Sequence, residues 1–197
     1  MKEYEKIHDP NKKPLKDLFK KIWHFIWEEE SIASYVVFII LAFVFLRFVL
    51  FPGFLLVTGY SDIAAVVSSS MEHDALTNHT FYTWLKYNGF NMSEVEKWPY
   101  LDGLNVGDVV VVKKVSPEEI KVGDIVLFYN KKGQIIHRVV FIEKKGDNYY
   151  YTTKGDANPS ILDIEKDIPY EKIKGKLVRR IPYIGWPKVL FSYLIPI

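Results

Sequence analysis

Between Pro14 and Glu30 the apolar residues Leu15, Leu18, Phe19, Ile22, Phe25 and Ile26 recur at intervals of three and four. That is the period of a helix with one apolar face, suited to lying along a membrane surface. From Ile32 to Ser61 the pattern becomes continuously apolar, with Arg47 as its single charged residue. Pro52-Gly53 should end a helix, so the predicted helical part runs from Ile32 to Phe51. Its twenty residues reach about 30 Å, the thickness of a hydrocarbon core. Arg47, about one turn from that end, can extend its side chain to the interface. Residues 32–53 are therefore read as a transmembrane anchor. Residues 54–67 become β-branched toward Val66-Val67 and predict a strand that leads into Ser68-Ser69-Ser70-Met71.

From Asn105 the period is that of β structure. Gly107-Asp108 opens a strand over Val109–Val112, and Gly123-Asp124 opens one over Ile125–Tyr129. Lys131-Lys132-Gly133 turns the chain into a strand over Ile135–Ile142, and Lys145-Gly146-Asp147-Asn148 makes a hairpin into Tyr149–Thr153. Short strands with turn signals at this spacing predict a mainly β, antiparallel domain. Residues 72–104 are aromatic without a clear period and read as an inserted lobe with a small core of its own. Its aromatic residues could alternatively dip into lipid. The proline-broken, aromatic stretch Ile181–Ile197 is too short for a second span. Three segments follow: 1–31, an amphipathic N-terminal part whose first 13 residues should fray; 32–53, the anchor; and 54–197, a β domain carrying the lobe 72–104.

Charge sets the expected orientation. Lys2, Lys6, Lys12, Lys13, Lys16, Lys20 and Lys21 precede the anchor, and no Lys or Arg occurs from 52 to 85. The positive-inside rule then puts the N-terminus in the cytoplasm and the β domain outside. The long charged leader and the absence of a nearby A-x-A site favour an uncleaved anchor over a signal peptide. The formal net charge of +2 gives no footprint for nucleic acid. The absence of cysteine removes disulfides, thiol catalysis and thiolate-held metals.

The remaining inventory narrows the chemistry. The β domain holds His73, His79 and His137, with neither the H-E-x-x-H of a metal hydrolase nor the G-x-S-x-G elbow of a serine hydrolase. Ser70, directly after a strand, is a candidate nucleophile, although a serine run at a strand end also suits a plain polar turn. His137 alternates with Ile135 and Val139 on one face of its strand, while Ile136 and Arg138 face the other way. It is a candidate base, because an imidazole can both take and return a proton near neutrality. Arg138 is placed to form a salt bridge on the opposite face. Asp156, in Gly-Asp-Ala-Asn, also suits turn capping. Asn78-His79-Thr80 and Asn91-Met92-Ser93 are glycosylation sequons.

Five elements follow the anchor in a fixed order: Ser68-x-Ser70-Met71-Glu72, Val122-Gly123-Asp124-Ile125-Val126, Ile136-His137-Arg138-Val139, Thr153-Lys154-Gly155-Asp156-Ala157-Asn158 and Pro182-Tyr183-Ile184-Gly185. In this the chain resembles type I signal peptidases over residues 31–188, specifically the archaeal and endoplasmic-reticulum branch, in which a histidine replaces the bacterial lysine base. The resemblance implies Ser70 as nucleophile, its backbone N–H and the Ser68 hydroxyl as oxyanion donors, and His137 as general base. It implies Asp163 or Asp156 as the acid that orients the histidine, and the later acid is the family's more frequent choice. Asp163 stands seven residues beyond Asp156 where the family usually has six. His73 replaces the usual proline, Ser69 replaces the usual glycine, and the lobe 72–104 is longer than in short members. The implied function is a membrane-anchored serine endopeptidase that removes signal peptides from exported preproteins with small residues at −1 and −3, bound as an extended strand. No cofactor or metal is implied. Expected partners are preprotein signal peptides and membrane lipid, with the export translocon a further candidate. The rival readings are a catalytically inactive anchored β module that binds exported chains or partner subunits, and a self-cleaving protease resembling the SOS-response repressors. The second lacks a DNA-binding region and a lysine base.

Overall fold

The computed structural model describes residues 13–74, 77–131 and 133–194. The segment expected to fray up to residue 12, with Lys2, Lys6 and Lys12, lies outside the described residues. So do Lys132 of the expected turn, residues 75–76 and 195–197, and the side chains of Lys13, Pro14, Thr77 and Asn78, the last belonging to the first sequon. The chain forms two compact units, Met1–Phe54 and Leu55–Ile197.

In the first unit, α1 spans Lys13–Trp27, as the three-and-four spacing predicts. Ser31 then caps α2, Ile32–Phe45, by accepting a hydrogen bond from the Ser34 N–H at 3.1 Å. The helix does not stop at Pro52. A π turn over Leu46–Leu50 joins α2 to α3, Phe51–Thr58. The whole Ile32–Thr58 stretch is long and apolar enough to cross a membrane. In a regular α-helix Pro52 would leave the Phe48 carbonyl without a donor and press its ring against it. In the wider turn the Phe51 N–H bonds to the Leu46 carbonyl five residues back, and such a turn absorbs a proline that an even helix would not. The strand expected over 54–67 is accordingly shorter: residues 54–58 are helical and β1 covers only Asp62–Ala65.

The second unit is a seven-stranded antiparallel sheet. Beyond β1 its strands are β2 Val109–Lys113, β3 Ile125–Asn130, β4 Gly133–Lys145, β5 Asn148–Lys154, β6 Ile168–Pro169 and β7 Ile173–Ile181. Their order is β1-β2-β7-β3-β4-β5-β6. Alternation sends side chains to two cores. Ile125 and Leu127 of β3 join Val110, Val112, Met71 and Leu104 on one face. Val126 and Phe128 join Val139, Tyr151 and Ile173 on the other.

The insertion 72–104 folds as a lobe with its own core. Here α4, Thr77–Tyr87, and α5, Met92–Val95, bury Phe81, Leu85 and Val95. Tyr82, Trp84, Phe90 and Trp98 pack against that core. Asn91 of the second sequon caps α5, accepting a hydrogen bond from the Ser93 N–H at 3.1 Å. After β7 the chain ends in α6, Trp186–Leu194.

Candidate active site

Three consecutive constraints position Ser70. The chain leaves β1 through the buried Val66, whose N–H donates to the Asp108 carbonyl at 2.8 Å. It then closes a 3-10 turn over Ser69–Met71. Met71 drops into the core, and its carbonyl accepts the Leu104 N–H at 2.8 Å. Gly103, at φ 74°, lets that segment approach, because a Cβ there would strike the Met71 carbonyl. Finally, the Ser70 carbonyl accepts the Ala157 N–H at 2.9 Å. The hydroxyl is thereby left facing a cleft of about 490 Å³ beside β1 and β4.

His137 stands on β4 opposite Val126 of β3. Its Nε2 lies 3.0 Å from Ser70 Oγ. Its Nδ1 is hydrogen-bonded to Glu165 Oε1. Glu165 is fully buried at the end of the 3-10 turn Asp163–Glu165. The Gly155 N–H donates to the same Oε1 at 3.1 Å and the Leu162 N–H to Oε2 at 2.6 Å. Everything around this carboxylate donates, so it is held as an acceptor. That places the histidine proton on Nδ1 and turns the Nε2 lone pair to the serine. The alignment is that of a nucleophile, a base and an orienting acid. The Ser68 hydroxyl lies 3.3 Å from Ser70 Oγ.

Neither aspartate considered from the sequence is the carboxylate against His137. Asp163 points into solvent, its side chain 96% exposed and paired with Lys166 at 2.8 Å. That lysine holds its carboxyl below the ordinary value. Asp156 is buried, but it faces away from the base and toward Arg138 and His73. The Arg138 Nε and Nη2 donate to it at 2.7–3.1 Å, and His73 Nε2 contacts it at 3.0 Å. Burial would raise the Asp156 carboxyl, but the Arg138 charge and the bonds from His73 and Arg138 outweigh it and hold the group below the usual carboxylate range. Glu165 escapes a reading based on the family's spacing because it lies three residues past the expected place. The available signal was local: three residues per 3-10 turn stack position 165 over 162, directing the longer carboxylate inward.

Arg138, facing away from His137 as its strand position predicts, is fully buried with every N–H engaged. Besides Asp156, it donates to the carbonyls of Pro99, Gly123 and Tyr100 at 2.8, 2.9 and 2.9 Å. Lys154, also buried, donates to the Gly155 and Asp156 carbonyls. Burial lowers its ammonium to about 8, partly opposed by Asp156 and Glu165. Between these residues and the serine runs Gly155. A Cβ there would lie 2.6 Å from Asn158 Nδ2 and 2.9 Å from both His137 Nε2 and the Ser70 carbonyl.

No family model matches the chain. Among curated proteins, signal peptidase I W of Bacillus subtilis is 31% identical over 72 residues, 36% of this chain. The matched part spans only about 38% of that relative's length. This limited similarity supports a signal-peptidase-like relationship.

Proposed function

We propose that this chain is a membrane-anchored serine endopeptidase of the signal peptidase I type, with the histidine base of the archaeal and endoplasmic-reticulum branch. The observation that carries the reading is the continuous hydrogen-bonded row Ser70–His137–Glu165 at the edge of a cleft. In the proposed reaction His137 Nε2 takes the hydroxyl proton as Ser70 Oγ attacks the scissile carbonyl. Glu165 keeps the ring oriented and stabilises the imidazolium that forms. The Ser70 N–H and the Ser68 hydroxyl would stabilise the oxyanion. His137 then protonates the leaving amine, and the seryl ester is hydrolysed by a water that gives its proton to the same nitrogen, which returns it to Ser70 Oγ as the ester bond breaks.

The substrate class is supported by the shape of the site. β1 ends the sheet order, so its outer edge can take an extended peptide as an added strand. Ala64, Ala65, Val67 and Ile135 line the adjoining cleft, a surface of small and apolar groups suited to small side chains. The lysines before Ile32 and their absence from 52 to 85 support a cytoplasmic N-terminus and an extracytoplasmic catalytic unit. The deciding experiment is incubation of a synthetic preprotein with purified wild-type, Ser70→Ala and His137→Ala proteins. Wild type should release the signal peptide, and each variant should lose essentially all cleavage. Because groups acting as a unit are not additive, the double variant should be no worse than either single one. Full activity in Ser70→Ala would remove the mechanism.

A further inference from the structure

The short segment 155–157 touches every member of the row at the site. The Gly155 N–H donates to Glu165 Oε1, and the Ala157 N–H donates to the Ser70 carbonyl. Gly155 runs so close to the base that an added Cβ would lie 2.9 Å from His137 Nε2. The spacing of Ser70, His137 and Glu165 therefore depends on how firmly this segment is held. Lys154 holds it. Its Nζ donates to the Gly155 carbonyl at 3.0 Å and to the Asp156 carbonyl at 3.3 Å, and lies 5.1 Å from the centre of the Trp84 ring of α4. The need for a cation here does not come from the sheet. Lys154 stands opposite Arg138 in the β4–β5 ladder, and both are buried. Like charges directly opposite oppose pairing, and an apolar side chain would fill the space without the desolvation an ammonium suffers. What the cation alone supplies is a charged donor for two adjacent carbonyls.

We propose that Lys154 is a positioning residue for the reacting pair: its ammonium clamps the Gly155 and Asp156 carbonyls and so keeps Ser70 Oγ within reach of His137 Nε2. The inference rests on the reading of Ser70 and His137 as nucleophile and base, and it gives that site an upper pH limit. Burial lowers the Lys154 ammonium to about 8, opposed by Asp156 of its own loop and Glu165 of the 3-10 turn and assisted by Arg138 of β4. Asp156 is itself paired with Arg138 and His73, and α4 contributes the uncharged Trp84. Below that value the lysine is charged and the clamp is closed. Above it a neutral amine loses the charge that draws both carbonyls, the segment relaxes, and cleavage falls.

The test is a pH–rate profile between about pH 5 and pH 10 on the full-length protein in detergent. The substrate is an N-acetylated signal-sequence peptide free of His, Lys, Cys and Tyr. Wild-type kcat should fall along an alkaline limb centred near 8. Lys154→Met should lower kcat by about 10- to 100-fold, as a small displacement of a reacting pair does, with KM within about threefold of wild type and no limb near 8. Lys154→Arg, charged throughout, should recover most of that loss and move the limb above about pH 10. Absence of the limb in wild type, or its persistence at the same pH in Lys154→Arg, would overturn the proposal, and these two proteins decide even if circular dichroism shows Lys154→Met unfolded. A folded Lys154→Met with wild-type kcat would overturn it as well, and so would one whose kcat is reduced equally at every pH with the limb retained, the mark of a purely structural lysine. Ser70→Ala is the control on the underlying reading. Wild-type cleavage by that variant would overturn the active site and this inference together, whereas its inactivity makes every other outcome a statement about Lys154 alone.

Discussion

Glu165 and Asp163 sit two positions apart in one short turn and have opposite surroundings. One carboxylate is closed in by His137 and two backbone N–H groups, and the other shares solvent with Lys166. Glu165→Gln should therefore reduce cleavage by about three to four orders of magnitude, because an amide can hold the ring in the wrong tautomer. It should also lower stability by about 1–3 kcal/mol, since one amide end faces backbone donors. Asp163→Asn should cleave within about twofold of wild type, as expected for loss of an exposed pair. Initial rates and thermal melts on both variants decide the matter, and the reverse ranking would return the orienting role to Asp163. Asp156 has a different task. Asp156→Asn should destabilise by about 3 kcal/mol near neutrality, since it leaves the buried Arg138 without its counter-charge. The folded carboxyl lies below its unfolded value. Its contribution is therefore complete above about pH 5 and is lost as pH falls through the unfolded value and then the folded one. Denaturant unfolding of both proteins at pH 7 and pH 2.5 should show the gap narrowing in acid. A gap of equal width at both values would mean that charge is not what Asp156 supplies.

At the scale of elements, the strands flanked by Gly-Asp turns were legible because alternation and turn chemistry agreed. β2, β3, β4 and β5 lie where those signals place them. The anchor helix was legible in existence but not in extent: Pro52 carries a stop signal that the preceding π turn cancels, and nothing local announces such a turn. Central strand β7 went unread because Lys174, Lys176, Arg179 and Arg180 break its apolar rhythm. In the fold Lys176 meets Asp124 and Arg180 meets Asp102, partners distant in sequence. The meeting of Ser70 with His137 was legible through the order of short elements, whereas the contact of Glu165 with His137 depends on a turn only three residues long. The loop after β5 is equally exacting. Gly155→Ala should leave the sheet folded yet cut cleavage by about 10- to 100-fold, since displacements near 1 Å in a reacting pair have that effect. Circular dichroism and initial rates together test this. Unchanged cleavage would mean that the loop yields without moving His137 or Ser70.

For the whole molecule, the proposed function requires an orientation that places the site on the side of exported chains. Protease added to intact cells or right-side-out vesicles should digest the chain beyond about residue 60 and spare the lysine-rich leader. Protection of the sheet and exposure of the leader would reverse the orientation and make exported preproteins an untenable substrate. The two faces of β4 also give the molecule its internal division of labour. One face presents His137 to the cleft and the other presents Arg138 to the lobe, so adjacent residues meet different surroundings.

Arg138 also makes the lobe inseparable from the rest of the unit. Two of its acceptors, Pro99 and Tyr100, belong to the insertion, a third is Gly123, and the fourth partner is Asp156, next to the glycine that touches Ser70 and His137. Trimming residues 72–104 to a tight turn, as a chimera with a compact protease would require, strips the guanidinium of the Pro99 and Tyr100 carbonyls and leaves two buried N–H groups without acceptors. A shortened chain that kept Arg138 would have to supply two replacement acceptors, while Gly123 and Asp156 stay in place.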